Sequence, residues 1–359
     1  MKRFPFLDWM RGLAVLVMIQ CHAFNSFTRT DLRDGGPYVM TQFIGGMAAP
    51  LFLFMAGMTT AFQMDSLERR ESSALRRWRI ALGRAGYITA IALIFRFTNW
   101  VFAWPWGDWH EMLRVDILNC MGVGMAMLTV AAVFTGVSRI RFALLAGLAI
   151  VGLAPLIANL DWNGTPTLVQ EYLAAAPGRR FPLFPWAAYL AFGMALGGMV
   201  KRIAADRIER LMQWSVLAGF ALVFTAQYFS NLPYSIYPKS NFWLDSPSLV
   251  LIRVGIMLLT MSGAYLWTEF GAGAHWSWMQ AMGKNSLMVY WVHVMIVYGS
   301  VVRPIKRTLS IPLAAAATVA ITLAMIAMSA GWLWWKGKRA GRKMSPQPSP
   351  AWKPARIRA

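Results

Sequence analysis

Apolar residues run along this chain in long unbroken blocks, not at the spaced positions of a soluble core; Leu145–Ile157, Pro182–Val200, Val216–Phe229 and Pro312–Trp335 are examples. Blocks of about 18 or more residues with few charges predict membrane-spanning helices. About ten such spans of roughly 20 residues follow. They cover Leu7–Phe27, Met40–Met64, Gly83–Trp104, Arg114–Gly136, Phe142–Ala158, Pro182–Val200, Met212–Phe229, Ser248–Phe270, Lys284–Val302 and Pro312–Trp335. The expected fold is therefore all-α: a polytopic helical bundle in a lipid bilayer. It forms one membrane domain over residues 1–336. The remainder, 337–359, is a basic, Pro-rich tail whose composition predicts disorder.

Polar positions between the blocks set the orientation. Arg69, Arg70, Arg76, Arg77 and Arg79 fall in one connection, Arg139 and Arg141 in another, and Lys201, Arg202, Arg207 and Arg210 in a third. Cytoplasmic loops are rich in Lys and Arg, so these connections, both termini and the basic tail are expected in the cytoplasm, across the inner membrane. Arg303, Lys306 and Arg307 depart from this pattern, falling in an outer connection. The longest outer connections, 159–181 and 230–247, predict caps over an outward-facing mouth. Several Trp residues (Trp100, Trp104, Trp106, Trp335) stand at block ends, where indole favours the interface.

Composition agrees. Hydrophobic residues make up 57% of the chain and charged ones 14%, with a mean hydropathy of +0.46, too little charge to cover a soluble surface. A net charge of +20 would suggest nucleic acid in a soluble protein. Here the basic residues lie between spans, so topology accounts for them and no nucleic-acid partner is expected. Cys21 and Cys120 fall inside spans and read as packing residues, with no disulfide or metal spacing. Gly193 and Gly197 form a small-xxx-small pattern of the kind that packs helices. A P-loop, a His-Glu-x-x-His motif and a Ser-centred elbow are all missing, so no membrane ATPase or metalloprotease is indicated.

Ionisable groups inside a span are costly and each should meet a partner or a cavity. In the first span, LDWMRGLAVLVMIQCHAFNSF, His22 lies eleven residues beyond Arg11. At about 100° per residue the two share a face to within roughly 20°. Asp8 and Asn25 extend the same stripe. Arg11 reads equally as a snorkelling anchor, whereas His22 sits too deep for one. Arg96 reaches a similar depth in the third span, and Arg114, Asp116 and Asn119 enter the outer end of the fourth. In KNSLMVYWVH, Asn285 precedes a face carrying Ser286, Tyr290 and His293. Structural pairing of Asp8 with Arg11, or of Arg96 with Asp116, is the plain alternative.

Five segments in order resemble known membrane enzymes. LDWMRGLAVLVMIQCH resembles the opening of the acyltransferase-3-like integral membrane enzymes, where an Arg and a His are separated by ten intervening residues, as Arg11 and His22 are here. PLFLFMAGMT, RVDILNCMG, FPLFPWAAYLAFGMALG and GKNSLMVYWVH resemble the bacterial relatives of heparan-α-glucosaminide N-acetyltransferase, within the same superfamily. The resemblance implies transfer of an acyl group, acetyl by default, from cytoplasmic acetyl-CoA or another acyl-CoA. The acceptor is an outward-facing hydroxyl or amine, on a glycan or a small molecule. His22 and Arg11 take the positions of the family's histidine and arginine. The chemistry admits His22, Asp116 and His293 as catalytic groups: imidazole as base or nucleophile, Asp116 orienting it. Arg11 suits CoA phosphate, and Arg96 or His293 an oxyanion. Asp8, Asn25, Arg114, Asn119, Asn285, Ser286 and Tyr290 complete the candidate binding set, with no metal. A transporter or flippase for a polar solute or lipid-linked sugar is the rival reading, because its buried charges would bind substrate.

Overall fold

The structure, a computed structural model, describes residues 4–71, 73–105, 108–112, 114–173, 175–178, 180–203, 207–271 and 276–339. Lys2, Arg3, Trp106 and the tail beyond Arg339 lie outside the described residues. Thirteen α-helices are present among those described: α1 (Pro5–Phe27), α2 (Gly36–Gly45), α3 (Ala48–Arg70), α4 (Ala74–Ala103), α5 (Ile117–Leu128), α6 (Gly136–Ala158), α7 (Thr167–Leu173), α8 (Leu183–Arg202), α9 (Ile208–Ser230), α10 (Pro247–Leu266), α11 (Trp278–Lys284), α12 (Ser286–Tyr298) and α13 (Ile311–Arg339). The protein is an all-α membrane bundle.

Among the described residues, seven helical stretches are long and apolar enough to cross a bilayer: Gly36–Arg70, Ala74–Ala103, Gly136–Ala158, Leu183–Arg202, Ile208–Ser230, Pro247–Gly271 and Ile311–Arg339. The first span expected from the sequence forms as α1, 23 residues long, but Asp8, Arg11, Gln20, His22 and Asn25 keep its hydropathy below that of the seven. The fourth and ninth come out shorter than expected. Asp116 caps α5, which therefore starts at Ile117 and runs 12 residues, about 18 Å. In place of Lys284–Val302 there is α12, 13 residues long and ending at Tyr298, preceded across a break at Asn285 by the short α11. The Asn285 side-chain amide donates to the carbonyls of Ala281 and Ser329, both at 3.2 Å. Broken backbone within a membrane persists where such bonds replace the lost ladder.

The chain divides into two compact units. The first comprises Met1–Leu51, Phe102–Trp104 and Thr260–Ala359, and α1 is its axis, packing on α2, α11, α12 and α13. Gly12 lies so close to the Met279 backbone, and Gly283 to the Asp8 backbone, that a Cβ at either position would overlap the facing chain. These reciprocal glycines let α1 and α11 cross at backbone contact, as small residues do in membranes.

The basic connection that departed from the orientation pattern has a structural job in this unit. Lys306 Nζ donates to the Tyr298 carbonyl at 2.6 Å, placing a cation on the exposed carbonyls that end α12. The Arg307 and Leu309 amides donate to Ser26 (3.0 Å) and Phe27 (2.9 Å), and the Arg29 amide donates to Leu309 (3.0 Å). The ends of α1 and α12 are thus tied through one loop.

The second unit, Phe52–Val101 with Pro105–Leu259, is built around α8, which contacts α5 and α6. Gly193 and Gly197 press against Phe54 and Met58 of α3, so the small-xxx-small pattern serves helix packing. At one end of the unit, two arginines satisfy the carbonyls that follow α5. Arg77 Nε donates to Ala132 (3.1 Å). Arg139 Nε donates to Phe134 (3.2 Å), and its Nη2 pairs with Glu68 at 2.8 Å. The basic connections α3–α4 and α5–α6 therefore share one end of this unit.

Candidate active site

Two imidazoles meet in the first unit. His22 on α1 and His293 on α12 approach with Nδ1 of the former 3.0 Å from Nε2 of the latter. Their rings are 5.2 Å apart and tilted by 12°. The helices that carry them run side by side in register. One turn beyond each histidine, Ser26 Oγ donates to the Val297 carbonyl at 2.8 Å. Tyr298 lies edge-on to His22 at 5.5 Å, and Tyr290 to His293 at 5.9 Å. His293 is fully buried, at 0% exposure, while His22 is half-buried. The pair therefore has an inner and an accessible member.

Hydrogen-bond roles fix the protons of the neutral pair. His293 Nδ1 is 2.7 Å from the Val289 carbonyl. A carbonyl only accepts, so this nitrogen carries the hydrogen. His293 Nε2 then holds a lone pair, and His22 Nδ1 must donate to it. His22 Nε2 is left unprotonated, the state a base or nucleophile requires. A backbone carbonyl four residues before His293 thus selects the tautomer of a residue on another helix.

The rest of the α1 stripe divides. Arg11 Nη1 pairs with Asp8 Oδ1 at 3.3 Å, with side-chain exposures of 24% and 3%, so the structural pairing considered from sequence forms here. Arg11 stands about 16 Å from His22 along the helix. Asn25 is exposed, and its backbone carbonyl accepts from Arg33 Nη2 at 2.5 Å. Ser286 and Tyr290 are half-buried on α12, and Asn285 holds the α11–α12 break.

Arg96, Arg114, Asp116 and Asn119 lie in the second unit, apart from the histidines in the chain's division. Asp116 Oδ1 accepts the amides of Leu118 (2.9 Å) and Asn119 (3.1 Å). Asn119 Nδ2 donates to the Tyr172 hydroxyl on α7 at 3.4 Å. Arg114 Nη2 donates to the Gly178 carbonyl at 3.2 Å. Tyr172 and Gly178 of the connection 159–181 are thereby tied to the start of α5. Burial first, with smaller contributions from Asp116 and Cys120, raises the pKa of the Tyr172 phenol against the lowering bond from Asn119.

Sequence reasoning missed Tyr172, Tyr298 and the Val289 carbonyl. Tyr172 sits on a seven-residue helix inside a connection, where periodicity gives no signal. Tyr298 lies five residues past His293, off the face that carries Ser286 and Tyr290.

The structure is a polytopic helical bundle in which α1 and α12 bring two histidines together. The acyltransferase domain family matches residues 4–330, nearly the whole chain, and the protein belongs to this acyltransferase-3 family. It is a membrane acyltransferase. No individual curated protein matches it.

Proposed function

We propose that this protein moves an acyl group, acetyl by default, from cytoplasmic acyl-CoA to a hydroxyl or amine of an outward-facing acceptor, glycan in character. The observation that carries this reading is the His22–His293 contact within a family of acyltransferases. His22 Nε2 takes the proton from the acceptor as its oxygen or nitrogen attacks the thioester carbonyl. The C–S bond breaks, and His22 returns the proton to the departing CoA sulfur. Positive charge developing on the His22 ring is met by the His293 Nε2 lone pair, which accepts from Nδ1–H throughout. Arg11 supplies a cation toward the N-terminal end of α1 for CoA phosphate. Both termini face the cytoplasm in this reading, in the inner membrane.

The test is purified protein in detergent with labelled acetyl-CoA and a panel of sugar acceptors. CoA release that is lost in His22→Ala, with helical content and elution volume unchanged, supports the reading. Acyl label retained on the wild-type protein would point to the same nitrogen acting as nucleophile. Uptake of a solute by proteoliposomes without CoA turnover would overturn acyl transfer in favour of transport.

A further inference from the structure

The polar cluster at the start of α5 does more than its local structural role demands. Capping α5 takes one oxygen of Asp116, which Ser, Thr or Asn would supply without a charge. The second oxygen, Oδ2, is buried and has no hydrogen-bond partner among the described residues. The same holds for Asn119 Oδ1. The two residues are 8% and 3% exposed and are held together by the Asn119 amide, which donates to Asp116 Oδ1 at 3.1 Å. A buried acceptor without a donor costs about 1–3 kcal/mol. Two at one place mark where a ligand supplies the donors. Protonating Asp116 does not remove the demand, because the new O–H would then need an acceptor.

Surrounding charge narrows the ligand. Arg96 and Arg180 are the cations whose charge reaches Asp116. Two guanidiniums disfavour a further ammonium beside them. A hydroxyl fits better: it donates to Asp116 Oδ2 or Asn119 Oδ1 and accepts from a guanidinium in the same geometry. The Tyr172 hydroxyl, already bonded to Asn119, offers a further polar contact from α7.

We propose that Asp116, Asn119 and Tyr172 bind a neutral, hydroxyl-rich molecule such as a sugar. This is the class of acceptor that the acyl-transfer reading requires, so the assignment to an acceptor rests on that reading.

The experiment is binding to the full chain in detergent, read as ligand-dependent thermal stabilisation, with methyl glucoside and glucosamine as probes. Saturable binding of methyl glucoside is expected, with glucosamine weaker at neutral pH. Asp116→Asn keeps the capping oxygen and the fold. It should weaken binding about tenfold or more, as should Asn119→Leu, with Tyr172→Phe smaller in effect. Absence of saturable sugar binding, equal affinity in Asp116→Asn and Asn119→Leu, or tighter binding of glucosamine would each overturn the proposal. Sugar binding that depends on Asp116, in a protein that releases no CoA, upholds this site while removing the acyl-transfer reading.

Discussion

Ser26 Oγ donates to the Val297 carbonyl at 2.8 Å, one helical turn beyond the point where His22 meets His293. The two contacts use i and i+4 positions on both α1 and α12, so each locks the register of the other. Packing around them is apolar: Ala23, Phe27 and Val297 form a buried cluster with Leu309, Ala317 and Ile321 against it. A membrane gives no hydrophobic drive for helices to associate, so this register comes from packing and hydrogen bonds.

In the proposed mechanism His293 acts through His22, as a positioning residue. His293→Ala should lower kcat for CoA release about a hundredfold or more, the scale at which losing a tautomer-setting partner is felt. The KM for acyl-CoA should stay near that of wild type. His293→Gln keeps an acceptor and should restore part of the rate. A rate equal to wild type in His293→Ala would end this role.

The proton arrangement can be read directly. In protein carrying 15N-labelled histidine, His22 should appear as the Nδ1–H tautomer at neutral pH, with Nε2 unprotonated. In His293→Ala the same signal should shift toward a mixture of tautomers. A dominant Nε2–H form in the wild type would contradict the chain running from Val289 through His293 to His22.

The glycine crossing of α1 and α11 admits no side chain. Gly12→Leu and Gly283→Leu should each destabilise the protein by at least the ~1–3 kcal/mol typical of overpacking. Fluorescence-detected size exclusion after heating measures this. Gly83→Leu is the control, because a Cβ there meets nothing within 4 Å. Equal melting for all three would remove the crossing as a structural requirement.

Topology is testable in the second unit. Ser73 and Asn163 are exposed in connections separated by α4, α5 and α6. Single cysteines there, with Cys21→Ala and Cys120→Ala, should label from opposite faces of the membrane with an impermeant maleimide. Position 73 should label from the cytoplasmic face. Labelling of both from one face would remove one crossing from the bundle.

Much of the fold was readable along the chain. Each expected span matches a helix or a pair of helices, because twenty consecutive apolar residues in lipid have almost no other way to satisfy their backbone. His22 and His293 stood out for a similar reason: an imidazole inside a span needs a partner, and its cost is visible wherever the partner lies. Gly193 and Gly197 carried their packing role in their spacing. The misjudged length of the fourth span came from a side chain acting on the backbone, the cap at Asp116; the ninth starts after the break at Asn285 and stops at Tyr298, where Gly299 turns extended.

Periodicity assigned His22 to a face of α1 and could not say what that face meets. The Arg11–His22 stripe looked continuous, yet Arg11 turned to Asp8 while His22 met a ring 271 positions further on. Helical spacing is a local property with a reach of a few residues. The identity of a buried partner is set by which helices pack and in what register, and that depends on contacts made by the whole chain at once. The pairing of the two imidazoles, the tautomer it imposes and the seating of Tyr172 over Asn119 therefore belong to the tertiary structure alone.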